Sequence, residues 1–222
     1  ISDLYKFLNL GYAQHPLVAI VDFSKTIEYI TEEISIKTDF YSIMFKNYCH
    51  NHIQYGRKTF DFQDRSLVCL APNRVITIDT DVEIKENMMG WGLFFHPDLV
   101  RGSSLGSKIK DYSFFSYEMS EALHLSDKEK QLLYDCILKI ESELAQNIDS
   151  YSQVLIASNI ELLLNYCSRY YGRQFITRKS ANIDVVSNIE NILKGYFENE
   201  ERRNEGMPSV KYLASKVNLS PG

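Results

Sequence analysis

The first half of the chain alternates short apolar runs with polar or turn-forming residues. Between Leu17 and His96 these runs are rich in Val, Ile, Phe and Tyr, a composition typical of β-strands. Because closure removes exposed strand edges, so many short strands predict a small barrel or jelly roll. The strongest strand candidates are Leu17–Phe23, Phe40–Tyr48, Lys58–Gln63, Ser66–Leu70, Val75–Ile78 and Trp91–Phe95, with turns at 55–57, 63–65 and 71–73.

After Leu105 the apolar positions recur at helical spacing. Ser126 and Glu129 have the spacing of a capping box, in which the hydroxyl and the carboxylate each accept the other residue's backbone N–H. We therefore expect a helix to begin at Ser126. Its predicted apolar stripe consists of Leu133, Ile137, Ile140, Leu144 and Ile148.

A second helix is predicted over 152–171, where apolar residues repeat at alternating steps of four and three. Such a repeat forms the seam of a coiled coil, and we interpret it as the interface of a homodimer. A core helix within one monomer explains the same pattern, and both alternatives remain open. The seam consists of Ile156, Ile160, Leu163, Cys167 and Tyr170. Because Leu155, Leu162 and their neighbours make other faces apolar too, this helix is expected to have two contact surfaces.

The polar stretch 173–182 follows, and its composition predicts a linker with irregular backbone. We place the domain boundary there. The charge also changes sign across it. From Gly172 onward the chain holds 8 Lys+Arg and 6 Asp+Glu, a net charge of +2, whereas the preceding part has a net charge of −7.

The last forty residues predict helices separated by a tight turn. Residues 183–197 have helical periodicity, and a loop rich in charge and Gly follows. Ser209 can cap a short helix with a small inner residue at Ala214, and Ser220-Pro221 has the sequence of a new helix start. This order of helix, turn and capped helix is typical of a DNA-binding helix-turn-helix. A generic helical hairpin would show the same caps.

Composition excludes several classes of protein. The 222 residues have 45% hydrophobic content and a net charge of −5, which argues against a chain that wraps nucleic acid along its whole surface. No apolar run reaches the roughly 18 residues of a membrane span, and the first ten residues lack a signal-peptide pattern. We therefore expect a cytoplasmic protein with no membrane partner. The scattered Cys49, Cys69, Cys136 and Cys167 are expected to be buried thiols.

The candidate chemistry is sparse. His50-Asn51-His52 in a strand would put two imidazoles on one face, which suggests a metal-dependent cupin enzyme as the alternative function. A cupin metal motif also needs a Glu four or five residues later, where Gly56 and Arg57 stand instead. Motifs of hydrolases, P-loop proteins and zinc proteases are absent from the sequence, so no catalytic residue, metal or cofactor is predicted.

Aromatic residues of the β region could line a cavity for a small organic ligand. The candidate pocket residues are Phe45, Tyr48, Phe60 and Phe62, although core packing explains the same residues.

The residues Ser209 to Pro221, "SVKYLASKVNLSP", resemble the first helix-turn-helix of the bacterial AraC/XylS family of transcription regulators. The preceding "VVSNIENILKGYF" is similar to the first helix of that DNA-binding domain. Upstream, "HPLVAIVDFSK", "APN", "GWGLFFHPDLV", "DYSFFSY" and "LHLSDKEKQLL" resemble the N-terminal module of the same family. The recognition helix of the first helix-turn-helix and the second helix-turn-helix have no counterpart here.

The resemblance implies an α+β fold: a cupin-like effector-binding barrel over 1–115, an antiparallel helical dimerisation segment over 116–172, and the start of a DNA-binding domain over 183–222. It implies a non-enzymatic regulator that binds a small-molecule effector, forms a homodimer and binds DNA, with sequence-specific binding resting mainly on residues after 222. In this arrangement Lys211, Lys216 and Ser220 are the candidate phosphate contacts, since ammonium groups and helix N-termini favour anions.

Overall fold

The chain divides into two compact units, Ile1–Tyr171 (unit 1) and Gly172–Gly222 (unit 2). The computed structural model describes residues 1–26, 34–46, 53–55, 58–59, 66–78, 89–115, 122–198 and 208–216. Unit 1 combines antiparallel β-sheets with helices, and the described part of unit 2 is helical. The fold is therefore α+β.

Unit 1 contains a five-stranded and a four-stranded sheet, in which every described pairing is antiparallel. The five-stranded sheet has the order β1-β8-β3-β6-β9, and the four-stranded sheet has the order β2-β7-β4-β5. The strands are β1 (Val18–Asp22), β2 (Ile34–Lys37), β3 (Tyr41–Lys46), β4 (Ile53–Tyr55), β5 (Lys58–Thr59), β6 (Ser66–Leu70), β7 (Val75–Ile78), β8 (Gly90–Phe95) and β9 (Leu123–His124).

Six of these strands coincide with predicted apolar runs, and the bounds of β6 and β7 match the prediction to the residue. Strands β2, β4 and β9 were not predicted, because each is only two to four residues long, too short for a clear pattern. The turn at 71–73 is formed with Asn73 in the left-handed region at φ 63°, where its backbone N–H donates to Thr38 O at 2.7 Å.

Both faces of the five-stranded sheet carry apolar residues. On one face Ile43, Leu93 and Phe95 share a core with the two long helices of unit 1, and we call this the helical face. On the other face Ala19, Val21 and Phe94 pack with Leu8, Phe23 and Phe40, and we call this the inner face. Burial on both faces explains why β6 is buried at all five positions, where a one-sided sheet would alternate.

The described helices are α1 (Ser2–Phe7), α2 (Pro97–Val100), α3 (Ser104–Lys108), α4 (Asp127–Leu144), α5 (Ser152–Glu198) and α6 (Val210–Lys216), with short 3-10 turns at Phe23–Lys25, Ile109–Asp111 and Ser113–Phe115. The predicted capping box of α4 is confirmed: the Ser126 N–H donates to Glu129 Oε2 at 2.8 Å, and the Glu129 N–H donates to Ser126 Oγ at 3.4 Å. Of the predicted stripe, Ile148 lies beyond the end of the helix and is exposed.

The structure differs from the predicted linker at 173–182. There α5 continues as helix from Ser152 to Glu198 and includes the helix predicted over 183–197. Arg, Gln and Lys are good helix formers and no proline interrupts them, so polarity in this stretch does not break the helix. The division between the two units nevertheless falls next to this stretch, between Tyr171 and Gly172. The dimerisation segment predicted over 116–172 is not a separate unit, because its described residues 122–171 belong to unit 1, supply β9 to the sheet and share the core of that unit.

Candidate functional site

The predicted dimer seam of α5 lies in the core of unit 1. Ile156, Ile160, Leu163, Cys167 and Tyr170 are all buried, and all five belong to the cluster that packs on the helical face of the sheet. These side chains are therefore covered within their own chain, and a partner subunit would have to contact another face of α5. This face of α5 therefore fits the other alternative that the sequence left open, a core helix within one monomer.

A different face of α5 carries apolar side chains at the surface. Tyr151 precedes the helix, and Leu155 and Leu162 follow at steps of four and seven residues, which places the three on one side. Val154 and the α4 residues Tyr134 and Leu138 are also substantially exposed. We call Tyr151, Leu155 and Leu162 the exposed helix face.

The inner face of the five-stranded sheet borders a cavity of about 640 Å³, which we call the inner cavity. It is bounded by β3 and β8 of one sheet, by β2 of the other, and by the N-terminal segment that contains α1. Its volume lies in the range of cavities that hold small organic ligands. The lining residues are Ile1, Asp3, Leu4, Phe7, Leu8, Phe23, Ile36, Lys37, Thr38, Asp39, Phe40, Ser42, Met44, Lys46, Asn73 and Phe94.

Strand β3 supplies the polar part of this wall. Because side chains alternate along a strand, Ser42, Met44 and Lys46 lie on one side while Ile43 and Phe45 lie on the other. Ser42 is 2% exposed and Lys46 is 8% exposed. The Lys46 ammonium lies 5.3 Å from the centroid of the Phe23 ring, within the range of a cation–π contact.

Of the four predicted pocket residues, Phe45 alone lies among the described residues. Phe45 lies on the side of β3 opposite to the inner cavity, with its ring 6.1 Å from that of Trp91. Tyr48, Phe60 and Phe62 lie outside the described residues. The residues that do line the inner cavity were missed because several come from α1 and from β2, neither of which was predicted. The available signal was the alternation of β3: Ser42 and Lys46 are polar residues four positions apart in an otherwise apolar run, so both lie on one side of the strand.

Phe45 instead borders a second cleft of about 650 Å³, between the sheet and α4. Five charged side chains line it, and four of them form two ion pairs: Lys130 Nζ lies 2.8 Å from Asp127 Oδ1, and Lys25 Nζ lies 3.5 Å from Asp22 Oδ2. The fifth is Glu141. Because the second cleft carries charges of both signs, it favours no particular class of charged ligand. The inner cavity is therefore the stronger candidate site.

The cysteines that the structure describes are free and buried, as the sequence predicts. Burial and a hydrogen bond to Cys167 raise the pKa of the Cys69 thiol well above its usual range. A thiol in this state is a poor nucleophile, because the thiolate is the reactive form.

The histidines of the metal alternative, His50 and His52, lie outside the described residues. Within the described part of the chain, no group of three or more His, Cys, Asp or Glu side chains is arranged to hold a metal ion. Across the same residues, no helix is both long and apolar enough to cross a membrane.

In unit 2 the short helix α6 has the predicted cap. The Tyr212 N–H donates to Ser209 Oγ at 3.2 Å, and Ala214 is buried. Lys211 and Lys216 are exposed on this helix, and the Tyr212 ring lies 5.7 Å from that of Tyr196 on α5. The third predicted phosphate contact, Ser220, lies outside the described residues.

Two comparisons with known proteins bear on identity: no model of a protein family matches the chain, and no curated protein matches it significantly.

Proposed function

We propose that this protein is a ligand-responsive transcription regulator of the AraC/XylS type, in which unit 1 binds a small effector and unit 2 contributes to DNA binding. The observation that carries the proposal is the inner cavity, a space of about 640 Å³ bordered by strands of two antiparallel sheets. A cupin-like barrel has this kind of ligand-sized interior. The sequence resemblance connects such a module with a helix-turn-helix.

The helices of unit 2 support the DNA-binding part of the proposal. In a helix-turn-helix the first helix must pack closely against its neighbours, which suits the small buried Ala214. Lys211 and Lys216 are exposed on the same helix and are available to phosphates. In the proposed arrangement these two lysines position the protein on the DNA backbone and do not select its sequence.

DNA binding is tested with the product of the complete reading frame. We expect it to enrich genomic fragments that share a sequence motif, whereas the 222-residue chain should bind DNA without sequence preference and lose binding as salt rises. Lys211→Ala should lower the affinity for all DNA sequences equally, because phosphate contacts carry no sequence information. Failure of the complete product to enrich any motif would contradict the proposal.

Effector binding is tested on unit 1. A thermal-shift screen of sugars, organic acids, alcohols and amines should find a class of small molecule that stabilises the 222-residue chain. The matched control is Met44→Trp, which adds bulk to the wall of the inner cavity and should abolish the shift. A shift of the same size in that variant would place the ligand elsewhere.

A homodimer is the second part of the proposal, and we expect its interface on the exposed helix face rather than on the predicted seam. The exposed helix face offers apolar area, whereas the predicted seam is used by the core. Leu162→Glu should weaken the dimer at least tenfold while the monomer stays folded, since it puts a charge into a buried interface. Val75→Glu is the control, because Val75 is exposed on β7 of the other sheet. Sedimentation of the wild-type chain as a monomer at all concentrations would refute the dimer.

A further inference from the structure

Most of the described residues that line the inner cavity are apolar, nine of sixteen. Those that form one packed cluster are Leu8, Phe23, Phe40 and Phe94, with Ile1, Leu4 and Met44 packed against it. Water in such a space finds few hydrogen-bond partners, and an apolar ligand that displaces this water gains free energy. The composition of the wall therefore favours a ligand with a large apolar part.

The inner cavity extends along β3. Ser42 and Lys46 both line it, four residues apart, and at a rise of about 3.3 Å per residue they are separated by roughly 13 Å. Uncharged polar groups gather at the Ser42 end, where Thr38 and Asn73 also line the cavity and the Asn73 N–H donates to Thr38 O. A ligand that fills the cavity therefore meets the described neutral polar groups at one end.

The middle of the cavity wall is aromatic. Gly92 on β8 pairs with Met44 on β3. A Cβ added at Gly92 would meet the Phe94 ring at 2.5 Å and the Phe23 ring at 2.9 Å, so both rings lie directly over this glycine. The Phe40 ring packs edge-on against Phe94, with 5.7 Å between the ring centroids. These three rings offer apolar surface to a ligand and no hydrogen-bonding group.

The charged residues that line the cavity give no preference for an ion. Asp3, Lys37 and Asp39 are exposed, so their charges stay hydrated. Lys46 is buried, but it has interactions within the chain in addition to its contact with the Phe23 ring. An ionic ligand would lose hydration on entering a space with mostly apolar walls, whereas an uncharged ligand would lose little.

We infer that the inner cavity binds an uncharged molecule with a long apolar chain and one polar end group, which lies near Ser42. The inference rests on the proposed role of this cavity as the effector site, and it names the class of effector. A hydroxyl both donates and accepts, so Ser42 suits an alcohol as well as a ketone or an aldehyde. A second polar group in the middle of the chain would lie against the aromatic wall without a hydrogen-bond partner.

The wild-type chain by itself permits the first test. Isothermal titration at pH 7.5 compares hexanol, heptanol and octanol with octane-1,5-diol, octanoate and octylammonium. We expect the affinity of the alcohols to rise about fourfold for each added methylene, the factor expected for burial of a CH₂ group. Octanol should bind at least tenfold more tightly than the diol and than either ion. Equal or tighter binding of the diol or of an ion would overturn the inference, and so would an affinity that does not depend on chain length.

Variants then place the ligand in the cavity. Met44→Trp, which adds bulk to the cavity wall, should abolish octanol binding, and Met89→Trp is the matched control because Met89 is exposed and does not line the inner cavity. Ser42→Ala should lower the affinity for octanol about fivefold, as expected for the loss of one hydrogen bond. Ser107→Ala, at an exposed position on α3, should leave it unchanged. Unchanged octanol binding by a folded Met44→Trp or Ser42→Ala protein would overturn the inference, and so would an equal loss in either control.

The outcomes separate this inference from the proposed function. If no alcohol binds but a sugar or an ion stabilises the wild-type chain and not Met44→Trp, the cavity is an effector site and only the apolar ligand class is wrong. If octanol binds in the cavity but does not change DNA binding by the complete product, the ligand class stands and the effector role fails. If no small molecule of any class binds, both fail.

Discussion

Two adjacent leucines of α5 have opposite roles in the structure, and a pair of alanine substitutions distinguishes them. Leu163 is 0% exposed and belongs to the core on the helical face of the sheet, whereas Leu162 is 39% exposed on the exposed helix face. Truncation at Leu163 removes buried methyl groups and leaves a cavity in a packed core, which costs about 2–5 kcal/mol of unfolding free energy. In the monomer, truncation at Leu162 should cost less than about 1 kcal/mol, because much of that side chain already contacts solvent.

The comparison is well controlled because both substitutions exchange the same residue types in the same helix. Leu and Ala differ little in helix propensity, so this contribution nearly cancels between the two variants. For a unit of this size, about 3 °C of melting temperature corresponds to 1 kcal/mol, so Leu163→Ala should lower the melting temperature of unit 1 by about 6–15 °C.

Urea unfolding followed by tryptophan fluorescence measures the effect in unit 1 specifically. Trp91 is the one tryptophan of the sequence, and it lies in the same core cluster as Leu163. The titration should be repeated at several protein concentrations, because dimerisation adds stability that depends on concentration. A loss of less than about 1 kcal/mol in Leu163→Ala, measured at a protein concentration at which the chain is monomeric, would refute the assignment of Leu163 to the core.

Three further predictions concern single groups in unit 1. Tyr112→Phe should lower the free energy of unfolding by about 1 kcal/mol, because the Tyr112 hydroxyl donates to the side-chain Oδ1 of Asn165 on α5 at 2.8 Å. Tyr170→Phe should be neutral or stabilising, because the buried Tyr170 hydroxyl has no hydrogen-bond partner among the described residues. Gly90→Ala should cost more than about 2 kcal/mol in urea unfolding, since φ is 147° and an added Cβ would come within 2.2 Å of Phe45 O; wild-type stability would refute this geometry. Burial holds the pKa of His15 below its usual 6.5, and the unfolded chain therefore takes up a proton that the folded chain resists. Wild-type stability should fall as pH drops below about 6.5 and level off below the folded pKa, and His15→Gln should lose this part of the pH dependence.

The local features of the chain were predictable because they depend on residues close in sequence. The capping box of α4 needs only Ser126 and Glu129, and the bounds of β6 and β7 follow from short apolar runs between turn residues. The α+β class follows in the same way, since strand-like runs precede long helical periodicities. Local hydrogen bonding and side-chain periodicity carry this information, and neither requires knowledge of distant contacts.

Which faces of these elements are covered was decided by tertiary structure. The four-three repeat of α5 is the same for a coiled-coil seam and for a core helix, and only the packing on the sheet assigns Leu163 to the core and leaves Leu162 exposed. The inner cavity likewise joins Leu4, Lys46 and Phe94, which lie far apart in the chain. Periodicity along one element defines its faces, but the element that covers each face depends on strand order and on helix docking, which arise from contacts between residues distant in sequence.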